Sequence, residues 1–364
     1  MIDQVGFIGL GLIGGSIAKA IKKNNLAKQI IAFDIDKLSL TLANQDNIVD
    51  VCAEGIDEHF KECSIIFLCC PVNVNIEAYN KLVQIVHPDC IITDVGSTKE
   101  NIIEEINKHK SPCTFIGGHP MAGSDKYGYA AATAHLFENA YYILTPIDDT
   151  DKLKTRILYD LIKGIKALPV VISPDQHDLV TATISHVPHV IAALLVNMVK
   201  TLDSDEGYLH TLAAGGFKDI TRIASSSPVM WQQICLTNKD NIVKILKHFK
   251  EDIDTIMKSI QSGNQHDIYD FFEGAREYRE SFQEKTSGAL LQSYSVTVDV
   301  VDEPGIIAQI ATLLSNHEIS IKNIGIINNR EHTSGVLEIV FYDETCLEKS
   351  IEVLNDMNYV VYKR

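Results

Sequence analysis

Three groups of residues in this chain combine the types and spacing that chemistry needs. Gly9-Leu10-Gly11-Leu12-Ile13-Gly14 fits the pattern G-x-G-x-x-G, directly after the β-rich run Val5–Ile8 and at the start of a helical stretch. In that setting Gly9 allows the tight turn, Gly11 lets a pyrophosphate approach the backbone, and Gly14 lets the helix pack close to a sheet. The new helix offers free backbone N–H groups around Leu12 and Ile13, and its partial positive charge, to the phosphates. Ser16 adds a hydroxyl in the first turn. Asp34 lies twenty residues after Gly14, at the end of the second strand. A carboxylate there accepts hydrogen bonds from a ribose 2′-hydroxyl and repels a 2′-phosphate, which favours NAD over NADP. Asp36 ranks second for that role. Pro71, in Cys70-Pro71-Val72, ends the next strand at a loop that skirts the cofactor.

The second group sits after two further strands. Asp94-Val95-Gly96-Ser97-Thr98-Lys99 follows one, and Gly117-Gly118-His119-Pro120-Met121-Ala122-Gly123-Ser124 follows the other. In open α/β sheets the carboxyl ends of the strands surround the ligand crevice, so Ser97 and His119 are expected near the nicotinamide. Histidine titrates near neutrality and can accept or share a proton with a substrate hydroxyl. The third group is helical. Ser185 and His189 are four residues apart and Asp178 and Ser185 seven, which puts them on one helix face, with His186 beside them. Zinc would also suit such a set, but hydride transfer to NAD needs no metal and none is expected. Lys218 and Arg222, four apart after Gly215-Gly216, face the same way. The planar fork of arginine suits a carboxylate.

The elements that must position these groups read as three regions. Strands Val5–Ile8, Ile30–Phe33, Ile65–Cys69, Ile91–Asp94, Thr114–Ile116 and Tyr142–Leu144 alternate with helices, which implies an α/β, Rossmann-type parallel sheet over residues 1–172. Residues 173–283 are helical throughout. Ile242, Ile245, Leu246, Phe249, Ile253, Ile256 and Ile260 form one apolar stripe, and Ala182–Lys200 is apolar on most of its circumference. This surplus implies a dimerisation domain. Gln283–Gln292 reads as a linker. Residues 293–364 then give a ferredoxin-like βαββαβ unit, with Asn328-Asn329-Arg330 as a hairpin turn.

Bulk properties exclude several classes. The chain has 364 residues and a formal charge of −16, a field that repels nucleic acid and anionic membranes. No apolar run is read as long enough to span a bilayer. The N-terminus shows no secretory signal, and the eight cysteines lack C-x-x-C spacing, as in a cytoplasmic protein with reduced thiols. An anionic substrate would therefore need local cations.

Taken together, GLGLIGGSIA at Gly9–Ala18, DVGSTK at Asp94–Lys99, GGHPMAGS at Gly117–Ser124, HDLVTATISHVPH at His177–His189 and GGFKDITRIA at Gly215–Ala224 resemble the prephenate dehydrogenases of tyrosine biosynthesis. The resemblance runs in family order to about residue 283. It departs at Asp125, where the family often has glutamate. The C-terminal stretch resembles an ACT regulatory domain, notably Asp302-Glu303-Pro304-Gly305.

The resemblance implies NAD-dependent oxidative decarboxylation of prephenate, a dianion, to 4-hydroxyphenylpyruvate. It implies His119 as proton acceptor for the 4-hydroxyl, with Ser97 orienting it. Arg222 would fix a substrate carboxylate and His189 would contact substrate, aided by Lys218 and supported by Asp178 and Ser185. It also implies a homodimer, and tyrosine as a feedback effector near Asp302, Pro304 and Gly305, with Asn323 or Gly325 facing that loop. Three alternatives differ in their predictions. An arogenate dehydrogenase would prefer the amino-acid form of the substrate. A non-catalytic NAD- and amino-acid-responsive regulator would bind NAD without turnover. A β-hydroxyacid dehydrogenase would want a catalytic lysine, for which only Lys218 is available, and has no use for GGHPMAGS or SHVPH.

Overall fold

The computed structural model describes all residues except 109, 110, 112, 124, 125, 148–151, 287–293, 302, 328–333 and 364. Ser124, Asp125, Asp302 and the Asn328–Arg330 turn thus lie outside the described residues. The chain divides into two compact units, Met1–Asp252 and Ile253–Arg364.

The first unit is built on eight strands: β1 Ile2–Ile8, β2 Ala27–Phe33, β3 Val51–Cys52, β4 Ile65–Leu68, β5 Ile91–Asp94, β6 Thr114–Pro120, β7 Tyr141–Pro146 and β8 Leu168–Val171. Their order is β3-β2-β1-β4-β5-β6-β7-β8. Strands β1 to β6 pair in parallel. Successive residues enter cores on opposite faces: Phe7 stacks on Phe67 at 5.2 Å on one, while Ile8, Ile66 and Leu68 pack with Tyr79 and Phe115 on the other. Burial on both faces explains why these strands read as continuous apolar runs.

The expectation of a parallel sheet needs one correction. Strand β7 runs antiparallel to β6, with His119 opposite Ile143. Among its described residues the connection between them holds only the short 3₁₀ turn Tyr129–Ala131. Without a crossover helix the chain cannot return to the starting edge, so it comes back in the opposite direction. Strand β3, with two residues, is too short to show a pattern, and strand β8, as long as β4 and β5, is not among the expected strands.

The helices Pro174–Thr181 and Val187–Leu202 join through a π-turn, Ala182–His186. The result is a continuous helix of 29 residues, long and apolar enough by composition to cross a membrane. That overturns the expectation that no segment has this length. Its threonines, serine and histidines hid the run, and the valines, leucines, isoleucines and alanines around them outweigh them in average hydropathy. Its inner side holds His177, Asp178 and His186, all buried, whereas Leu194, Val196 and Met198 are exposed on the single chain. The stripe on helix Lys239–Ser262 behaves similarly. Ile242 is buried, but Phe249, Ile253 and Ile260 are exposed.

In the second unit, helix Gln265–Thr286 takes up the start of the expected linker. Strands β9 Tyr294–Val301, β10 Ile321–Ile327, β11 Ser334–Phe341 and β12 Val360–Lys363 follow, in the antiparallel order β10-β11-β9-β12. Helices Ile306–Asn316 and Glu344–Asp356 contribute Ile310, Leu314, Leu347 and Leu354 to the core with Val296, Val298 and Leu337. This is the expected βαββαβ layout.

Candidate active site

The glycine turn has the geometry its sequence requires. Gly9 adopts φ +92°, which other residues rarely take. A Cβ on Gly14 would lie 2.4 Å from the Gly9 carbonyl oxygen, so a hydrogen is all that fits between helix and turn. A Cβ on Gly11 would meet nothing within 4 Å and would project into open space. Helix Leu12–Lys23 begins there without a side-chain cap, leaving its first N–H groups, at Leu12 and Ile13, available to an anion. Asp34 accepts from Leu10 N at 2.5 Å and Asp36 N at 2.8 Å, which fixes its carboxylate beside the turn at the ribose position. These residues fit a dinucleotide. Asp36 instead caps the helix Lys37–Gln45, accepting from Leu38 N and Ser39 Oγ. Ser16 is fully buried and accepts from Thr133 N, so the expected cofactor contact is withdrawn. Pro71 is exposed and precedes helix Val72–Leu82, whose Asn75 accepts from Cys70 N at 3.0 Å.

Strands β1, β4, β5 and β6 are neighbours, and their carboxyl ends bring the glycine turn, Pro71, Ser97 and His119 to one sheet edge. Three inter-strand spacings separate β1 from β6, roughly 14 Å. Beneath that edge lies a charge pair with no solvent exposure. Lys99 Nζ donates to Asp94 Oδ2 and, at 2.8 Å, to the Gly118 carbonyl. Asp94 also accepts from Gly96 N at 2.9 Å and Gly118 N at 3.1 Å. This packing explains the paired glycines before His119. A Cβ on Gly117 would lie 2.9 Å from Lys99 Cδ and 2.2 Å from Thr145 Oγ1, and one on Gly118 would lie 2.5 Å from the Asp94 carbonyl oxygen. Burial lowers the Lys99 pKa against the opposing pull of Asp94 and Asp178.

A second buried layer meets the first. Asp178 accepts from Lys99 N at 2.8 Å and Glu100 N at 2.9 Å, so it caps the helix Glu100–Asn107 from another element. His177 Nδ1 lies 2.7 Å from Asp178 Oδ1, and His177 Nε2 lies 2.8 Å from His119 Nδ1. Asn238 closes the layer, donating to the Asp178 carbonyl at 2.7 Å and lying 3.2 Å from His186 Nδ1. Burial, with His177, Lys99 and His186 alongside, holds the His119 pKa well below its ordinary value. His186 falls to about 4, mainly through burial. The His119 ring is therefore neutral near pH 7.

Several expected roles change. Among the described residues the partner of His119 Nδ1 is His177, not Ser97, which is half-buried and makes no side-chain hydrogen bond. Asp178 is wholly buried with its oxygens engaged by groups of the protein. The π-turn inserts an offset of about one residue between Asp178 and His189, which breaks the single face read from spacing. His189 bonds the Ser185 carbonyl oxygen through Nδ1 at 2.9 Å and stacks on Trp231 at 3.9 Å, leaving its Nε2 open. The Ser185 side chain is half-buried. Lys218 and Arg222 are exposed, and neither forms an ion pair among the described residues. Sequence reasoning missed His177, Lys99, Asn238 and Trp231 as a connected set. The adjacency of His177 to Asp178 was the available signal.

In the second unit, Gly305 takes φ +99° at the start of helix Ile306–Asn316, with Pro304 exposed before it. Asn323 pairs through Val340 with Ser295, at the start of β9. Pro304 and Gly305 follow the end of β9, about 20 Å away at ~3.3 Å per residue. Asn323 and Gly325 thus cannot face that loop within one copy, because β9 and β10 run parallel and begin at the same edge.

A family model described as "Prephenate dehydrogenase, nucleotide-binding domain" matches residues 17–171, and one described as "Prephenate dehydrogenase, dimerization domain" matches 173–274. A prephenate dehydrogenase of Bacillus subtilis is 40% identical over 361 residues, 97% of each chain. A crystal structure of prephenate dehydrogenase from A. aeolicus, in complex with hydroxyphenyl propionate and NAD+, superposes with a TM-score of 0.72 at 30% identity, covering 78% of this chain and 99% of that one. Synechocystis arogenate dehydrogenase gives 0.70 at 27% identity, covering 77% and 99%.

Two outcomes follow from this geometry. Gly14→Ala should destabilise the fold by about 1–3 kcal/mol through overpacking, whereas Gly11→Ala should leave the denaturation midpoint in place and weaken NAD binding. Chemical denaturation and cofactor titration of both variants check the contrast. Lys99→Met should cost about 3–5 kcal/mol, because it strands a buried carboxylate. Adding Asp94→Asn should recover part of that loss in the same denaturation assay.

Proposed function

The chain belongs to the prephenate dehydrogenase family, and from that premise we propose that it oxidises and decarboxylates prephenate to 4-hydroxyphenylpyruvate with NAD. The observation that carries this reading is the placement of His119 at the end of β6, beside the crevice that begins at the glycine turn, with its Nδ1 held by His177 and its pKa lowered by burial. Bound NAD supplies the hydride acceptor. Gly9, Gly11 and Gly14, the N–H groups of Leu12 and Ile13, Asp34 and the Pro71 loop hold it. His119 accepts the proton of the substrate 4-hydroxyl as hydride leaves C4. The ring carboxylate departs as carbon dioxide, its bonding electrons complete the aromatic ring, and His119 returns the proton to the phenolate oxygen. Prephenate dianion and NAD+ become a monoanionic product, carbon dioxide and NADH, so no net proton is released.

Other residues bind and orient. Ser97 lies on the loop between cofactor and His119 and bridges nicotinamide and substrate. Arg222 and Lys218 receive the carboxylates, and His189, held by Ser185 and Trp231, presents its open Nε2 to substrate. These cations form no ion pair among the described residues of a strongly acidic protein, which suits them to a dianion.

The same proposal covers organisation. The NAD domain spans 1–172, the helical domain 173–283 and an ACT-like regulatory domain 293–364. The exposed apolar faces of the helical domain meet those of a second copy in a cytoplasmic homodimer. Tyrosine binds near Asp302, Pro304 and Gly305, and Asn323 reaches that site only from the second copy.

His119→Asn should lower kcat by about 10²–10⁴-fold and leave NAD affinity unchanged in a steady-state assay with prephenate; near-normal turnover removes the role. Only the neutral imidazole accepts a proton, so protonation silences it. Because its pKa is depressed, kcat/KM for the parent enzyme should stay level as pH falls through the ordinary histidine value of 6.5. A decline centred there contradicts this. Arogenate turning over faster than prephenate would reassign the substrate. Tyrosine added to the intact enzyme should inhibit it; no response removes the effector.

A further inference from the structure

We propose that His177 is a positioning residue for the proton-transfer step, fixing the tautomer of His119 so that Nε2 is the atom that meets the substrate hydroxyl. This rests on the reading of His119 as the base and extends it by one residue that does not touch substrate.

The chain of contacts begins at Asp178. Two backbone N–H groups at a helix N-terminus donate to its carboxylate oxygens. An ionised carboxylate only accepts, so the 2.7 Å contact to His177 places the hydrogen on His177 Nδ1. Burial and the nearby Lys99 ammonium keep that ring neutral against the pull of Asp178 and Asp94. Its Nε2 is then bare and accepts. The 2.8 Å contact therefore places a hydrogen on His119 Nδ1, and His119 Nε2 is left with its lone pair.

The opposite arrangement would disable the site. A proton on His177 Nε2 would turn that atom into a donor towards His119 Nδ1. His119 would then carry its hydrogen on Nε2 and could not accept another. One proton anywhere on the two rings silences the base, so they titrate as a unit. The charged and titratable groups facing the pair are Lys99, Asp94, Asp178 and His186. The relay ends at Asp178, whose oxygens are engaged in the protein. A closed relay is sufficient because the reaction returns the proton it borrows.

The test compares His177→Leu, His177→Gln and His119→Asn in the full chain, reading kcat, KM, NADH affinity by fluorescence and the acid limb of kcat/KM. Leucine removes the acceptor. Glutamine offers Oε1 near the position of Nε2 and cannot titrate. His177→Leu should lower kcat about ten- to a hundredfold, a share of the ~10²–10⁴ that general-base help supplies. NADH affinity should hold. The acid limb should move to lower pH, since the proton loses its site next to Asp178. His177→Gln should restore most of kcat while keeping the lowered limb. The proposal is overturned if leucine leaves kcat within twofold, if neither variant moves the limb, or if glutamine binds NADH normally yet is as slow as leucine. Should leucine fail to bind NADH, the glutamine result decides by the same criteria. Turnover retained by His119→Asn would instead strike the base assignment itself, a separate failure.

Discussion

The Asp178 carboxylate is the contact on which the site depends. It joins the sheet, through the backbone of Lys99 and Glu100, to the first helical turns beyond the sheet, through His177. A buried charge is expensive unless hydrogen-bonded. Here its two oxygens accept from two backbone donors and one ring donor, and its own carbonyl accepts from Asn238. The Asp94–Lys99 pair lies one step further into the sheet and grips the Gly118 carbonyl, so the strand carrying His119 is held from beneath while its ring is held from behind. Positions 117 and 118 leave no room for a Cβ, which would meet Thr145 and the Lys99 side chain at the first and the Asp94 backbone carbonyl at the second.

This arrangement separates two tasks that charge alone would confuse. The groups that set the protonation of His119 are buried and satisfied within the protein. The cations suited to a dianion, Lys218 and Arg222, are exposed and have no acidic partner among the described residues. They lie on the helical part that also exposes Leu212, Ile220, Val229 and Met230. Exposed apolar area of that extent beside free cations suits a surface completed by association. The dimerization-domain match over residues 173–274 covers the same stretch.

Much of the fold was legible in the chain because its signals are local. Glycine spacing after Val5–Ile8, alternation of strands and helices, and the return of period-two patterning at Tyr294 each rest on a few neighbouring residues. What the sequence hid is non-local. Lys99 and Asp94 were only the two ends of a polar segment in the sequence, since only a folded sheet shows that neither touches water. The reversal of β7 depends on a crossover helix that is absent from the described residues of its connection. The π-turn at Ala182–His186 shifts a helix face without any compositional mark, so the helical spacing of Asp178, Ser185 and His189, seven residues and then four, misled. His177 stood next to Asp178 throughout, but its partnership with His119 spans 58 positions.

The most direct measurement of the central claim is the ¹⁵N chemical shift of the His119 ring in the NAD-bound enzyme at pH 7, with selectively labelled histidine and the signal assigned by its loss in His119→Asn. The account predicts a neutral ring with a protonated Nδ1 and a bare Nε2. A ring protonated on Nε2, or on both nitrogens, would contradict it.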